Sequence, residues 1–371
     1  MTLASHKLRI LHTEASTGWG GQEIRILDEA AGLRARGHDV QVAAPAAAPI
    51  FHAARSRHIP AHDVSLDRRS IGSFLALSRV IGAFKPDVVV THSSSDSWLA
   101  ALVTRMPSRR AALVRTRHLS TPVARGSLNR WLYGRAPVRV VTTGEAIRDQ
   151  LIKTLGLDPR AVVSIPTGAD MSRFRPGDKA GARARLGLST EAPIIGIVAT
   201  LRSWKGHRFL IAAMNDQRLA HARLVIVGDG PQDPVLREQA ASFGDRVLFV
   251  GQQDDVVPWL HTFDVFALPS TGNEGVPQAL VQAMACGIPV VTTPVGAIPE
   301  LVRDRETGLI VPPGDEEALA AAIATLLTDQ TLAGRLAAAG RERVSAHFTA
   351  AAMLDRMEQT LCDAATGGST G

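Results

Sequence analysis

Short apolar runs recur along the chain, each ending in small or polar residues and followed by a stretch whose apolar positions return every three or four residues. In the first half the runs are LRILHTE, DVQVAAP, DVVVTHS, AALVRTRH and RVVTTG; in the second they are PIIGIVAT, ARLVIVGDG, RVLFVGQ, VFALPS and PVVTTPVG. Continuous apolar runs fit strands buried on both faces, and the intervening helical period supplies their covers. The pattern therefore predicts parallel sheets flanked by helices, an α/β doubly wound arrangement that occurs twice. Gly21 to Arg36 reads as the first helix, stopped by Gly37. The Gly- and Pro-rich segment IPTGADMSRFRPGD reads as a connector. The predicted organisation is a first domain over 1–170, a second over 171–345, a helix over 346–364 packing back on the first domain, and a disordered tail over 365–371.

Candidate chemistry falls just after the predicted strands, where open α/β sheets bind ligands. Two such domains facing each other would bring these positions to a common cleft, a convergence that packing alone does not explain. In LPSTGNEGVPQALVQAMACGIPVV, Glu274 sits on a glycine loop with Gly275 and Val276, and Pro277 suits the first turn of the following helix. Ala279, Leu280, Ala283 and Met284 continue that helix as an apolar stripe until Cys286-Gly287 stops it. Upstream, LRSWKG sets Arg202 and Lys205 three apart after Ile194 to Ala199. A planar fork and a point charge there would stabilise a diphosphate leaving group as its charge builds, without a divalent metal.

The loop Ser16 to Gly21 lacks bulk where strand turns to helix, so backbone at Gly20 and Gly21 would approach a phosphate or sugar closely. It fails as a dinucleotide fingerprint, because Glu23 stands where the third glycine is required. Gly228, in VGDGP, and Gln252, after RVLFVG, mark strand ends that line the same cleft. His118 follows the fourth run of the first half. His12, Glu14 and His92 also follow strands and are expected as acceptor contacts, while Glu23 suits a first helical turn.

The glycine loop GWGGQE, IPTGADMSRFRP, LRSWKG and the acidic motif beginning at Glu274 together resemble the retaining glycosyltransferases of family 4, which have the GT-B fold. The resemblance spans residues 8 to 345. It implies two Rossmann-like domains facing across a cleft, with the second domain binding a nucleotide-sugar donor and the first an acceptor. It further implies that Arg202 and Lys205 hold the diphosphate, Glu274 the donor sugar, and that His118 lies near the reacting bond. One departure is plain: where the Glu-x7-Glu motif has its second glutamate, this chain has Gln282, which keeps length and hydrogen bonding but loses the charge. A sugar-nucleotide epimerase or hydrolase on the same fold, or a non-catalytic nucleotide-sugar binding module, are the competing readings. Intact Arg202, Lys205 and Glu274 argue against the module.

Composition adds limits. A chain of 371 residues is long for one core. No apolar run approaches the roughly 18 to 20 residues of a spanning helix, and MTLASHKLRIL does not resemble a signal peptide, so a cytoplasmic location is expected. Two cysteines are too few for a disulfide framework, and no metal-binding spacing is present, so no metal and no cofactor beyond the nucleotide-sugar co-substrate is expected. Residues 1–170 hold 23 Lys and Arg against 13 Asp and Glu, while the rest holds 18 against 22. Much of the excess lies between Arg105 and Arg139, interleaved with Leu, Trp and Tyr, a pattern suited to an anionic membrane surface or an acidic acceptor such as a lipid-linked saccharide. No nucleic-acid motif accompanies the charge, so nucleic acid is not expected as a partner.

Overall fold

A computed structural model describes residues 7–367. The chain divides into two units, Met1–Pro166 with Met353–Gly371, and Thr167–Ala352. This division differs from the expected one at 170/171 for a local reason. Ala169 bridges Thr349, with Ala169 N donating to Phe348 O at 2.9 Å and Ala350 N to Ala169 O at 2.8 Å, so the connector's glycine-rich start is tied to the end of the second unit.

The first unit is one parallel sheet of β1 (Arg9–Thr13), β2 (Asp39–Ala44), β3 (Ala61–Asp63), β4 (Val88–Thr91), β5 (Ala112–Arg117), β6 (Arg139–Thr142) and β7 (Val162–Ser164). Their spatial order is β3-β2-β1-β4-β5-β6-β7. Strand alternation sends Ile10, Val42, Val88 and Val90 to one core, and Leu11, Ala43, Val89 and Leu113 to the other, which is why these strands read as unbroken apolar runs. The edge strands β3 and β7 have three residues each and are not among the predicted runs.

From Met353 onward the helix Ala350–Gly367 belongs to this unit, and it lays Met353, Met357, Leu361 and Ala364 on the first of those cores, a stripe at helical spacing. Its polar side is pinned by Arg36, which donates to Glu358 at 2.7 Å and to Asp355 at 2.6 Å. The tail expected to be disordered from residue 365 is helical through Gly367, because burial of Ala364 extends the packed face; residues 368–371 of that expectation lie outside the described residues.

The second unit holds β8 (Ile194–Val198), β9 (Arg223–Val227), β10 (Val247–Gly251), β11 (Val265–Leu268), β12 (Val290–Thr292) and β13 (Leu309–Ile310), all parallel, in the order β10-β9-β8-β11-β12-β13. In each sheet the chain builds outward on one side of its first strand and then crosses to the other. The reversals fall between β1 and β4 and between β8 and β11. Loops leaving the carboxyl ends at such a reversal diverge and leave a crevice, the usual ligand position in this architecture.

Candidate functional site

In the second unit the loops after β8 and β11 meet at the strand reversal. The chain leaves β8 through Arg202 and a single 3-10 turn, Ser203–Lys205, and re-enters a helix through Gly206. Gly206 has φ 80°, and a Cβ there would overlap the Pro269 carbonyl, so only glycine allows the two loops this approach. Thr271 N donates to Trp204 O at 2.7 Å and locks them together.

After β11, Asn273 takes the left-handed conformation at φ 61°, one that Asn tolerates, and directs Glu274 inward. Glu274 is 3% exposed, with Lys205 Nζ 2.8 Å from its Oε1 and 2.9 Å from its Oε2. The Ser270 hydroxyl donates to Oε1 at 2.7 Å and is itself anchored where Thr293 donates to the Ser270 carbonyl at 2.5 Å. Ser270 was missed in the sequence because a serine at a strand end is ordinary; its place four residues before Glu274 was the available signal.

The remaining predicted donor residues of this unit spread around that pair. Arg202 is exposed, with its guanidinium 5.9 Å from the Trp204 ring centroid. Arg202 and Lys205, expected as two cations for phosphate, thus differ: the lysine is already paired and the arginine faces solvent. Gly275 and Val276 are buried behind Glu274, and Pro277 is the N-cap of the helix Gln278–Ala285 rather than part of its first turn. Gln282 is buried on that helix, and its amide makes no hydrogen bond among the described residues. Gly228 N donates to Gly251 O at 2.9 Å, joining the ends of β9 and β10, and Gln252 beyond them is exposed. His207, unremarked in the sequence, is 2% exposed with both ring nitrogens unpartnered; burial, and then the Lys205 charge, push it down to about 3.

In the first unit the three candidate histidines come together. His12 lies within β1, His92 follows β4 and His118 follows β5, three strands that neighbour one another. His12 Nδ1 is 3.0 Å from His92 Nε2, and His92 Nδ1 is 3.0 Å from His118 Nε2. The ring centroids are 5.3 and 5.2 Å apart, close to the spacing of about 4.8 Å between neighbouring strands that supplies one ring each. At the inner end, His12 Nε2 is 3.9 Å from Glu29 Oε1, and Arg25 Nε is 3.8 Å from Glu29 Oε2, both from the helix Gly21–Ala35. Burial lowers His12 to about 3 and holds His92 and His118 well below the ordinary histidine range, with help from neighbouring cations. Burial raises Glu29 to about 7 against the pull of Arg25.

His12, His92 and Glu14, expected as acceptor contacts, are all buried. Both His92 ring nitrogens are taken by neighbouring imidazoles, while His12 Nδ1 meets His92 and His12 Nε2 faces Glu29 at 3.9 Å, beyond hydrogen-bond distance. Glu14 is fully buried: Oε1 accepts from Ser16 N at 2.7 Å and from the Ser93 hydroxyl, and Oε2 from Gln22 Nε2 at 2.5 Å. Asp96, fully buried, accepts from Thr13 at 2.8 Å and from His92 N at 2.9 Å; burial, and then the Glu14 charge, raise it to about 7. Gly20 is the N-cap and Gly21 the first residue of the helix Gly21–Ala35, and Gly20 has no side chain of its own to cap it. Glu23 is raised to about 7, by burial first and by Glu14 second, and its carboxylate reaches back to the Gly20 amide.

A second feature of this unit is its basic face. Residues 68–139 hold 13 Lys and Arg, of which Arg115 is buried, against two acids, Asp87 and the buried Asp96. The helices Ile71–Phe84, Ser94–Val103 and Ser127–Gly134 pack in sequence and expose Ile71 (80%), Leu75, Leu102 and Leu128 (68%). Trp98 stacks on Trp131 at 5.4 Å, with Arg105 4.8 Å above the Trp131 ring. Among the described residues, no helix is long and apolar enough to cross a membrane, and no group of three or more His, Cys, Asp or Glu side chains is placed to hold a metal ion.

Residues 19–173 match the model of "Glycosyltransferase Family 4" and residues 192–329 that of "Glycosyl transferases group 1". A phosphatidyl-myo-inositol mannosyltransferase of Mycobacterium leprae is 30% identical over 375 residues, covering 94% of this chain and 95% of the relative. A D-inositol 3-phosphate glycosyltransferase of Saccharomonospora viridis is 33% identical over 236 residues, covering 58% of this chain, which spans about half (54%) of that relative's length. Among solved structures, Anabaena HepE in complex with UDP-glucose superposes with a TM-score of 0.85 at 24% identity, covering 96% of this chain and all of that one (100%), a likeness of fold. With a relative aligned over nearly its whole length, and two doubly wound units of matching topology, the chain belongs to glycosyltransferase family 4 and has the GT-B fold.

Proposed function

We propose that the chain transfers a sugar from a nucleotide-diphosphate sugar to an acceptor hydroxyl with retention at the anomeric carbon, without a metal ion, the second unit binding the donor. The observation that carries this reading is the Lys205–Glu274 pair at the β8/β11 reversal, an ammonium and a carboxylate held 2.8 Å apart where a diphosphate sugar would lie. A donor diphosphate beside Arg202 would draw Lys205 toward phosphate oxygens. The Glu274 carboxylate, still oriented by Ser270, would then accept from sugar hydroxyls. Cations fixed beside the leaving group stabilise it most as its charge develops, which raises the rate rather than only the affinity.

In the proposed step the acceptor oxygen bonds to the anomeric carbon on the face from which the phosphate departs. The carbon–phosphate oxygen bond breaks, and the acceptor's proton ends on the released nucleoside diphosphate. Backbone at Gly20–Gly21 and the His118 ring would serve the reacting region from the first unit. Thermal shift with UDP, GDP, ADP, CMP and dTDP, with and without magnesium, tests the donor site. One diphosphate is expected to raise the midpoint in wild type and not in Lys205→Ala, with no need for magnesium. No shift with any nucleotide overturns the assignment.

The acceptor in this reading is a lipid-linked saccharide or anionic glycolipid, reached from the cytoplasmic face of a membrane. The M. leprae relative is named for a phosphatidylinositol acceptor, and the basic face of the first unit pairs exposed Ile71, Leu75, Leu102 and Leu128 with arginines. Arginine charge draws such a surface to anionic headgroups, and the apolar side chains then insert. Co-sedimentation should be stronger with anionic than with neutral vesicles and should weaken in Ile71→Glu/Leu128→Glu; equal binding to both vesicles removes this part of the proposal.

A further inference from the structure

The geometry points to His92 and His12 as positioning residues for His118: three hydrogen-bonded imidazoles ending at the Glu29 carboxylate hold the His118 Nε2 proton inward and leave its Nδ1 as a hydrogen-bond acceptor toward the ligand. This inference rests on the reading of His118 as a group near the reacting bond, and adds to it the protonation pattern that the ring must carry.

The argument is one of proton counting. A neutral imidazole carries one N–H and one lone pair, and each of the two N···N contacts of 3.0 Å accommodates one proton. All three rings are neutral across the physiological range, because burial disfavours their charged forms and because Arg25 and Arg117 lie close enough to oppose further positive charge. Only two arrangements then satisfy both contacts. In the inward one, His118 Nε2–H donates to His92 Nδ1, His92 Nε2–H donates to His12 Nδ1, and His12 Nε2–H points at Glu29. In the outward one every proton shifts to the other nitrogen, which leaves a bare His12 Nε2 lone pair 3.9 Å from Glu29 Oε1 and puts a proton on His118 Nδ1.

A lone pair facing a carboxylate is repulsive, and an N–H facing it is attractive. Burial raises Glu29 to about 7 against the pull of Arg25, so above that value the carboxylate is ionised and selects the inward arrangement. The choice passes through His92 because a neutral ring cannot donate from both nitrogens. Nε2 is the His118 nitrogen that faces His92, so Nδ1 remains to accept a hydrogen bond from a ligand hydroxyl. The two contacts are between residues 80 and 26 positions apart in sequence, so the file exists only through the packing of β1, β4 and β5.

The test is the tautomer itself, read on the full chain labelled with ¹⁵N-histidine by two-bond ¹H–¹⁵N correlation at pH 8, with His118 assigned by loss of its signals in His118→Gln. The expected wild-type result is a single Nε2–H tautomer at His118; an Nδ1–H tautomer overturns the inference. His92→Phe should leave His118 in mixed tautomers and lower kcat about tenfold with donor KM within about twofold, the scale of losing one orienting partner. His92→Gln, which can still accept and donate, should restore both. An unchanged tautomer in His92→Phe overturns the inference. If that variant does not fold, His12→Phe, which leaves the His92–His118 contact in place and cuts it from Glu29, decides in the same way. Absence of transfer with every donor at the expected tautomer would count against the glycosyltransfer reading alone, and an Nδ1–H tautomer in an active enzyme against the histidine file alone.

Discussion

At the β8/β11 reversal of the second unit a lysine and a glutamate meet as an ion pair; at the β1/β4 reversal of the first unit the corresponding space holds neutral imidazoles and carboxylates raised toward 7. The sheets have the same local order, so topology does not set the difference. Depth does. Lys205 and Glu274 lie on loops beyond the strand ends, where the glutamate is buried but the lysine side chain keeps 20% of its surface, whereas His12 lies within β1 and Glu29 on the helix packed against it, both at 1% or less. Charge is cheap to hold at the first place and expensive at the second. One switch point is therefore suited to meeting a charged donor, and the other to orienting a neutral group.

The largest expected effect is at the ion pair. Lys205→Ala should lower kcat/KM by about 10²–10³-fold, the scale of removing one preorganised electrostatic contact, and should abolish the nucleoside diphosphate shift. A loss no greater than that of His92→Phe would erase the contrast between the two sites.

Arg25→Met comes next. It strips the cation from Glu29 in the interior and should cost about 3 kcal/mol of unfolding free energy at pH 8. The cost should shrink at pH 6, where a proton replaces the missing cation, and denaturant unfolding at both pH values checks it.

The pH dependence of the buried carboxylates follows from their sign. Glu29 is raised from an ordinary 4.5 to about 7, so between these values the folded state holds a proton that the unfolded chain has lost. Its stabilising contribution is complete below 4.5 and declines as pH rises through 7, at no more than about 1.4 kcal/mol per pH unit. His12, lowered from 6.5 to about 3, works the other way: its contribution is complete above 6.5 and is lost as pH falls toward 3. The stability of Glu29→Gln relative to wild type should thus rise between pH 5 and 7 and level off above. A difference that stays constant across that range would mean that Glu29 does not change its protonation there.

The smallest effect is expected at Gln282→Glu. Restoring the family's second acid should change donor KM by less than about tenfold, the scale of one hydrogen bond gaining a charged partner, with kcat nearly unchanged. A large rise in kcat would instead make the missing charge at Gln282 a limit on the chemical step.

Much of this was legible in the sequence. Ten apolar runs each became a strand, and Glu274, Lys205 and His118 were singled out from their positions after them. What escaped detection had no local signature. β3, β7 and β13 are edge strands of two or three residues, defined by pairing with one neighbour rather than by a run of their own. The role of Ser270 depends on Thr293 and Lys205 arriving from other loops. His12 and His92 read as ligand contacts because a histidine after a strand looks the same whether it faces solvent or a neighbouring ring.

The sequence by itself determined the kind and order of the elements, because strand and helix periods and the glycines and prolines that end them act over a few residues. It also determined the family, through motifs whose spacing survives in one dimension. Only the tertiary structure decided which loops meet across a sheet reversal, and with that which groups keep their charge. Lys205 and Glu274 stand 69 residues apart and become an ion pair only when β8 and β11 pair, while His12 and His92, 80 apart, become a hydrogen bond only when β1 and β4 do. Ionisation follows from burial and neighbours, and both are properties of packing rather than of chain position.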